Sequence, residues 1–175
     1  KLTDTDLSSE RFPYLSWQNV RIGNAPARAL RLNFVGELGW ELHHEMIYQR
    51  SIYQQIMEAG QELGLVNCGM RAVLGSMRLE KGYVLAPDIC GEETPLQAGL
   101  EFFVKFDKGD FIGRRALEKI KAEGNRRVLS ILTLEKDVPV YGAETIMRQG
   151  KVLGYTTSAN FGHTIGKPIV YGYLP

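Results

Sequence analysis

The sequence has little with which to staple itself, hold a metal or enter a membrane. Its two cysteines, Cys68 and Cys90, stand apart with no Cys-x-x-Cys spacing, so neither a disulfide framework nor a zinc site is indicated. The expectation is two buried thiols in a reducing compartment. No apolar run approaches the roughly 20 residues that span a bilayer. No block of Lys or Arg forms a basic stripe, and 21 Lys+Arg against 20 Asp+Glu leave a formal net charge of +1. That balance gives no electrostatic case for nucleic acid. Gly-x-Gly-x-x-Gly does not occur, so these residues carry no Rossmann-type dinucleotide turn. Gly162-His163-Thr164-Ile165-Gly166-Lys167-Pro168 is one residue short of a phosphate loop and precedes a strand pattern rather than a helix. His43 and His44 are neighbours in a strand pattern and point to opposite faces there, which is wrong for joint chelation. Ser130 and Ser158 lack the context of a nucleophile elbow.

What is present is a globular composition, 44% hydrophobic and 23% charged over 175 residues, enough to bury a core. The most informative stretch is Leu30-Arg31-Leu32-Asn33-Phe34-Val35-Gly36-Glu37-Leu38-Gly39-Trp40-Glu41-Leu42. Two runs with the period of a half-buried strand flank a turn holding two glycines. The carboxylate of Glu37 is thereby offered as a fixed acceptor, or as a solvated turn residue.

The rest of the chain divides by texture. Residues 1–18 read as a polar start and a short helix, with Asp4 or Ser8 as N-cap. Strands are expected over 20–22 and 27–43. A helix over 47–63 carries Ile52, Tyr53, Ile56, Met57 and Leu63 on one face and ends at Gly64. A second helix is expected over 67–81, capped by Asn67, with Ala72, Val73, Ser76, Met77 and Leu79 inward. Residues 84–96 read as loop, 102–106 as a strand, and 112–123 as a helix capped by Asp110 and stopped by Gly124. From Arg127 only short strands follow, over 128–134, 144–148, 151–158 and 169–174, with a hairpin tip at Gln149-Gly150. The expected fold is therefore α+β followed by antiparallel β, with a boundary near Gly124.

This sequence resembles the folate-binding aminomethyltransferases, the family of the glycine-cleavage T-protein. The same module occurs as the C-terminal half of dimethylglycine and sarcosine dehydrogenases. The Gly36-Glu37-Leu38-Gly39 run carries the resemblance first. It is followed in order by Met77-Arg78-Leu79-Glu80-Lys81-Gly82-Tyr83, Glu93-Thr94-Pro95-Leu96-Gln97-Ala98-Gly99-Leu100, Asp110-Phe111-Ile112-Gly113-Arg114-Arg115-Ala116-Leu117 and Gly166–Pro175. Glu80-Lys81-Gly82-Tyr83 is similar to the dehydrogenase-linked branch. The resemblance implies residues 1–124 as the C-terminal part of a folate-binding domain and 125–175 as an incomplete β-barrel domain. The opening at Lys1 in a polar stretch and the stop at Pro175 are what a piece of a larger protein would show.

The resemblance also implies a site. A reduced pterin presents two adjacent N–H donors that one carboxylate can accept in parallel, and the family's Gly-Glu-x-Gly glutamate matches Glu37. Tyr83 and Trp40 are candidates to line or stack on the pterin, although aromatics at such positions more often belong to the core. Arg78 is a candidate for the folate tail, with a helix-surface ion pair as its other reading. Gln97 stands where the family usually has Glu, and Leu38 where the T-protein has Asp. The family's catalytic aspartate falls ahead of Lys1, so no catalytic residue is named. The implied function is transfer of an oxidised N-methyl carbon to tetrahydrofolate, giving 5,10-methylenetetrahydrofolate. FAD would lie in a domain outside this chain, and the partners would be folate and a small N-methyl amine. The location would be the cytoplasm in a bacterium or the mitochondrial matrix in a eukaryote. Two alternatives stand beside it: a free-standing aminomethyltransferase fed by a lipoyl carrier, and a non-catalytic regulatory subunit of the same fold.

Overall fold

A computed structural model describes residues 2–89, 91–124 and 127–175. Cys90, and Asn125 at the expected domain boundary, lie outside the described residues. The chain forms two compact units, Lys1–Met70 and Arg71–Pro175.

In the first unit, β1 (Trp17–Ile22), β2 (Ala25–Leu30) and β3 (Glu41–His43) form an antiparallel sheet in that order. Alternation decides its faces. Val20, Ile22, Ala25, Ala27 and Ala29 point inward, and α1 (Gln49–Gly60) lays Ile52 and Ile56 on them, with Phe12 closing one end. Three alanines on β2 leave room for the helix to approach closely. The expected helix over 47–63 is present but not as one cylinder. Single 3₁₀ turns, Met46–Tyr48 and Gln61–Leu63, flank α1. That change of winding takes Leu63 off the apolar face, where it is 86% exposed. Leu65 folds back over Gly60 instead, its N–H donating to the Gly60 carbonyl at 3.0 Å.

Residues 2–16 hold turns rather than the expected helix, because Asp6, not Asp4 or Ser8, ties its carboxylate to the nearby Ser8 N–H. That bond holds the Asp6 carboxyl below its ordinary value. Cys68 is exposed, contrary to expectation.

In the second unit, β4 (Val128–Thr133), β5 (Thr145–Arg148), β6 (Lys151–Gly162) and β7 (Lys167–Leu174) form an open antiparallel sheet in the order β4-β7-β6-β5. β7 lies between two partners and is buried almost throughout, with Tyr171 wholly enclosed. The tip joining β5 to β6 is Gln149-Gly150, both left-handed (φ 52° and 78°), the conformation a two-residue hairpin requires.

The helix expected over 67–81 starts later and is wound differently. A π-helical segment, Ala72–Met77, runs into α2 (Arg78–Lys81), which Gly82 stops at φ 84°. Asn67 caps nothing; its amide donates to the Tyr53 hydroxyl. The wider winding turns Ser76, Arg78 and Leu79 inward together. Residues 102–106 are not a strand. Glu101–Phe103 is a 3₁₀ turn closed by three-residue bonds to Leu100 and Glu101, and Phe102 and Phe103 are exposed. α3 (Arg114–Glu123) starts after left-handed Gly113 rather than at an Asp110 cap.

Candidate functional site

β2 stops at Leu30, and residues 31–40 cross to β3 without regular structure. Asn33 shapes this loop. Its Oδ1 accepts the N–H groups of Val35 (2.9 Å) and Gly36 (2.8 Å), and its Nδ2 donates to the Glu37 carbonyl. Gly36 takes φ 73°, a value that L side chains resist. Gly39 sits against Asn33 so closely that a Cβ there would lie 2.4 Å from the Asn33 Cβ. The two glycines of the motif thus do separate work: one turns the backbone and the other makes room for an amide. The Glu37 side chain is exposed, and its carboxylate accepts no hydrogen bond among the described residues. An anionic acceptor on a tied loop, with its lone pairs still open, is suited to a ligand with paired N–H donors.

Trp40 leaves the same loop and turns into the core of the first unit. Its ring meets Phe12 edge-on, centroids 4.6 Å apart at 73°, and the Arg31 guanidinium lies 5.8 Å over it. Its contacts are those of a core residue.

Arg78 and Tyr83 belong to the second unit, and they meet. The Arg78 Nη1 donates to the Tyr83 carbonyl at 2.9 Å. Arg78 does not form the surface ion pair expected of a helix residue. It is 3% exposed, and its Nη1 lies 2.6 Å from Asp88 Oδ2. Its Nε donates to the Leu74 carbonyl and its Nη2 to Ser158 Oγ. With four of about five N–H groups so engaged, the guanidinium is committed inside the unit.

No periodicity or motif in the sequence marks Asp88. Wholly buried in the 3₁₀ turn Ala86–Asp88, it takes Arg78 and the Leu85 N–H on one oxygen and the Thr157 hydroxyl on the other. Its carbonyl accepts the Tyr173 hydroxyl at 2.8 Å. Tyr171 donates to the Leu79 carbonyl at 3.0 Å, and burial pushes its phenol up to about 12. In the sequence Asp88 is one polar residue of the expected 84–96 loop. Nearby, Gln97 Oε1 accepts both the N–H and the hydroxyl of Thr94, so an amide oxygen does there what a carboxylate oxygen would.

The first unit also contains a cleft of about 1380 Å³ with a mixed lining that includes Leu2, Val20, Leu30, Arg28, His43 and His44. Both histidines reach it because β3 ends at His43 and His44 has left the strand. None of Glu37, Trp40, Arg78 and Tyr83 lines it. Among the described residues no group of three or more His, Cys, Asp and Glu is placed to hold a metal ion. No helix among them is long and apolar enough to cross a membrane.

With the fold and the loop in place, comparison with known proteins is decisive. Residues 1–108 match the GCVT N-terminal domain model and residues 126–175 the glycine cleavage T-protein C-terminal barrel domain model. The chain belongs to the glycine-cleavage T-protein family. Sarcosine dehydrogenase, mitochondrial, of Mus musculus is 47% identical over 98% of the chain, and dimethylglycine dehydrogenase, mitochondrial, of Homo sapiens 43% over 100%. An aminomethyltransferase of Thermoanaerobacter is 39% identical over 97%. The chain spans only 19% and 20% of the two dehydrogenases and 46% of the aminomethyltransferase. Among solved structures, the glycine cleavage system aminomethyltransferase T of Bartonella henselae superposes with a TM-score of 0.75 at 26% identity. That match covers 90% of this chain and 44% of the other. The family is one of enzymes, and the α+β fold with antiparallel sheets is that of the T-protein.

Proposed function

We propose that this chain is the folate-facing part of a one-carbon-transfer module in a dimethylglycine or sarcosine dehydrogenase-like flavoenzyme. The observation that carries the reading is Glu37: a carboxylate with open lone pairs, exposed on a loop that Asn33, Gly36 and Gly39 tie down. Such a group suits the two neighbouring N–H donors of a reduced pterin. The higher identity to the two dehydrogenases than to the aminomethyltransferase supports the flavoenzyme over the free-standing enzyme. The domain division is taken at 124/125, which the family matches over 1–108 and 126–175 support and which falls inside the second compact unit, Arg71–Pro175; the FAD belongs to a separate domain.

Tetrahydrofolate, when bound, would supply N5 to the carbon of the oxidised N-methyl group, and closure on N10 with release of the demethylated amine would give 5,10-methylenetetrahydrofolate. This chain's own part is to hold and orient. Glu37 fixes the pterin edge from the first unit; in the second unit Tyr83, a candidate pterin-lining aromatic, follows α2 directly after Gly82. Arg78 serves by bracing the Tyr83 backbone, and Trp40 by anchoring the end of the Glu37 loop in the core. Orientation is the larger share of what a protein adds when the cofactor carries the chemistry. The chain by itself is expected to show no turnover, because the family's aspartate and the flavin are outside it.

The test is a tetrahydrofolate titration of the full-length protein and its Glu37→Gln variant by calorimetry. Gln keeps the size but turns one acceptor into a donor. The expected loss is about 2–3 kcal/mol, roughly 30- to 150-fold in affinity. The flavin half-reaction should be unchanged, and stability should move by less than about 1 kcal/mol. Equal affinities would remove Glu37 from the site.

A further inference from the structure

We infer that Asn33 is a positioning residue for Glu37, and that its amide sets the strength with which this loop holds a pterin-like donor pair. The inference rests on the reading of Glu37 given above and goes beyond it.

The bonding is specific to an amide. Two donors, the N–H groups of Val35 and Gly36, converge on Oδ1, while one acceptor, the Glu37 carbonyl, takes Nδ2. A carboxylate at residue 33 could serve the first pair and would face the Glu37 carbonyl with an oxygen; a serine is too short to span both. The side chain thus clips the start of the loop to its carboxylate-bearing residue, fixing the backbone on both sides of Gly36. Glycine 39 protects the arrangement, since any Cβ there would fall 2.4 Å from that of Asn33. The clip lies in a loop whose residues 34 and 36–38 are exposed, so it contributes little to the core of the first unit. That core consists of Phe12, Val20, Ile22, Ala25, Ala27, Ala29 and Ile52. Such a bonded amide on an exposed loop is better placed to orient than to stabilise. A loop held before the ligand arrives loses less freedom on binding.

The experiment is a double-mutant cycle in the full-length protein, read as tetrahydrofolate affinity by calorimetry with thermal melts alongside. Asn33→Ala should weaken binding about 10-fold with little change in melting temperature, and Asn33→Asp should do so less. In a Glu37→Gln background, Asn33→Ala should have almost no further effect, because the group it orients is already lost. Gly39→Ala, which displaces the clip while leaving Asn33 in place, should reproduce the Asn33→Ala result and serves if that variant is unstable. If Glu37→Gln weakens binding and neither Asn33→Ala nor Gly39→Ala does, the inference is overturned and the role of Glu37 stands. If the Asn33 and Glu37 effects simply add, Asn33 acts independently and the inference again fails. If Glu37→Gln itself changes nothing, both readings fall together.

Discussion

Asp88 gathers three donors onto one buried carboxylate, and Arg78 spends its guanidinium on Asp88, two carbonyls and a serine. Such a pair is costly to create and costlier to break, because removing one partner leaves the other charged and dry. Asp88→Asn should therefore lower stability by about 3–5 kcal/mol in urea melts. Arg78→Met combined with Asp88→Leu should recover most of that loss, since no orphaned charge remains. A small effect of Asp88→Asn alone would mean that solvent reaches the pair. At this scale the sequence was least legible. Glu37 could be picked out because two glycines and flanking strand patterns frame it. Arg78 and Asp88 lie on either side of left-handed Gly82, in a helix end and a turn, and no periodicity links such positions. Asn33 is hidden for a similar reason, as an ordinary polar residue in an alternating run.

Strands of the second unit were the easiest elements to anticipate, since two-residue alternation and the Gln149-Gly150 turn are local signals, whereas the strand expected over 27–43 breaks into β2 and β3 around the irregular residues 31–40. Helix limits were harder, because the π-helical winding over Ala72–Met77 and the 3₁₀ turns around α1 depend on what each end packs against. The alternation of Phe102, Val104 and Phe106 misled because a strand needs a partner, and this segment bonds to itself. Two glycines, one in β6 and one at the hairpin tip before it, separate the two kinds of constraint. At Gly154 a Cβ would lie 2.2 Å from the main-chain oxygen of Tyr173, whereas at Gly150 it would meet nothing. Gly154→Ala should cost about 3 kcal/mol, because a neighbouring strand cannot step aside. Gly150→Ala should cost only about 1–2 kcal/mol, the conformational price of φ 78°. Comparable melting temperatures for the two would argue against the close pairing of β6 with β7.

Taken whole, the molecule has two cores, one in each compact unit, and the second is organised by β7. Its stability should carry the mark of Tyr171 at high pH. The phenol, raised to about 12, sits above the value of about 10 it has in an unfolded chain. The stability it contributes is complete below pH 10 and is lost as pH rises through about 12. Urea midpoints should accordingly fall over that range, and fall less steeply in Tyr171→Phe; parallel curves would place the alkaline weakness elsewhere. β7 also has a consequence for the order of manufacture. Residues 2–56 already contain every side chain of the first core, so that unit can close while the ribosome is still at work. The segment from Arg71 to Gly166 emerges with Leu79 and Arg78 still waiting for the tyrosines of residues 167–174. At about 5–20 residues per second that wait lasts several seconds, a window in which a half-made chain exposes a greasy helix end and a buried-to-be cation to whatever is near.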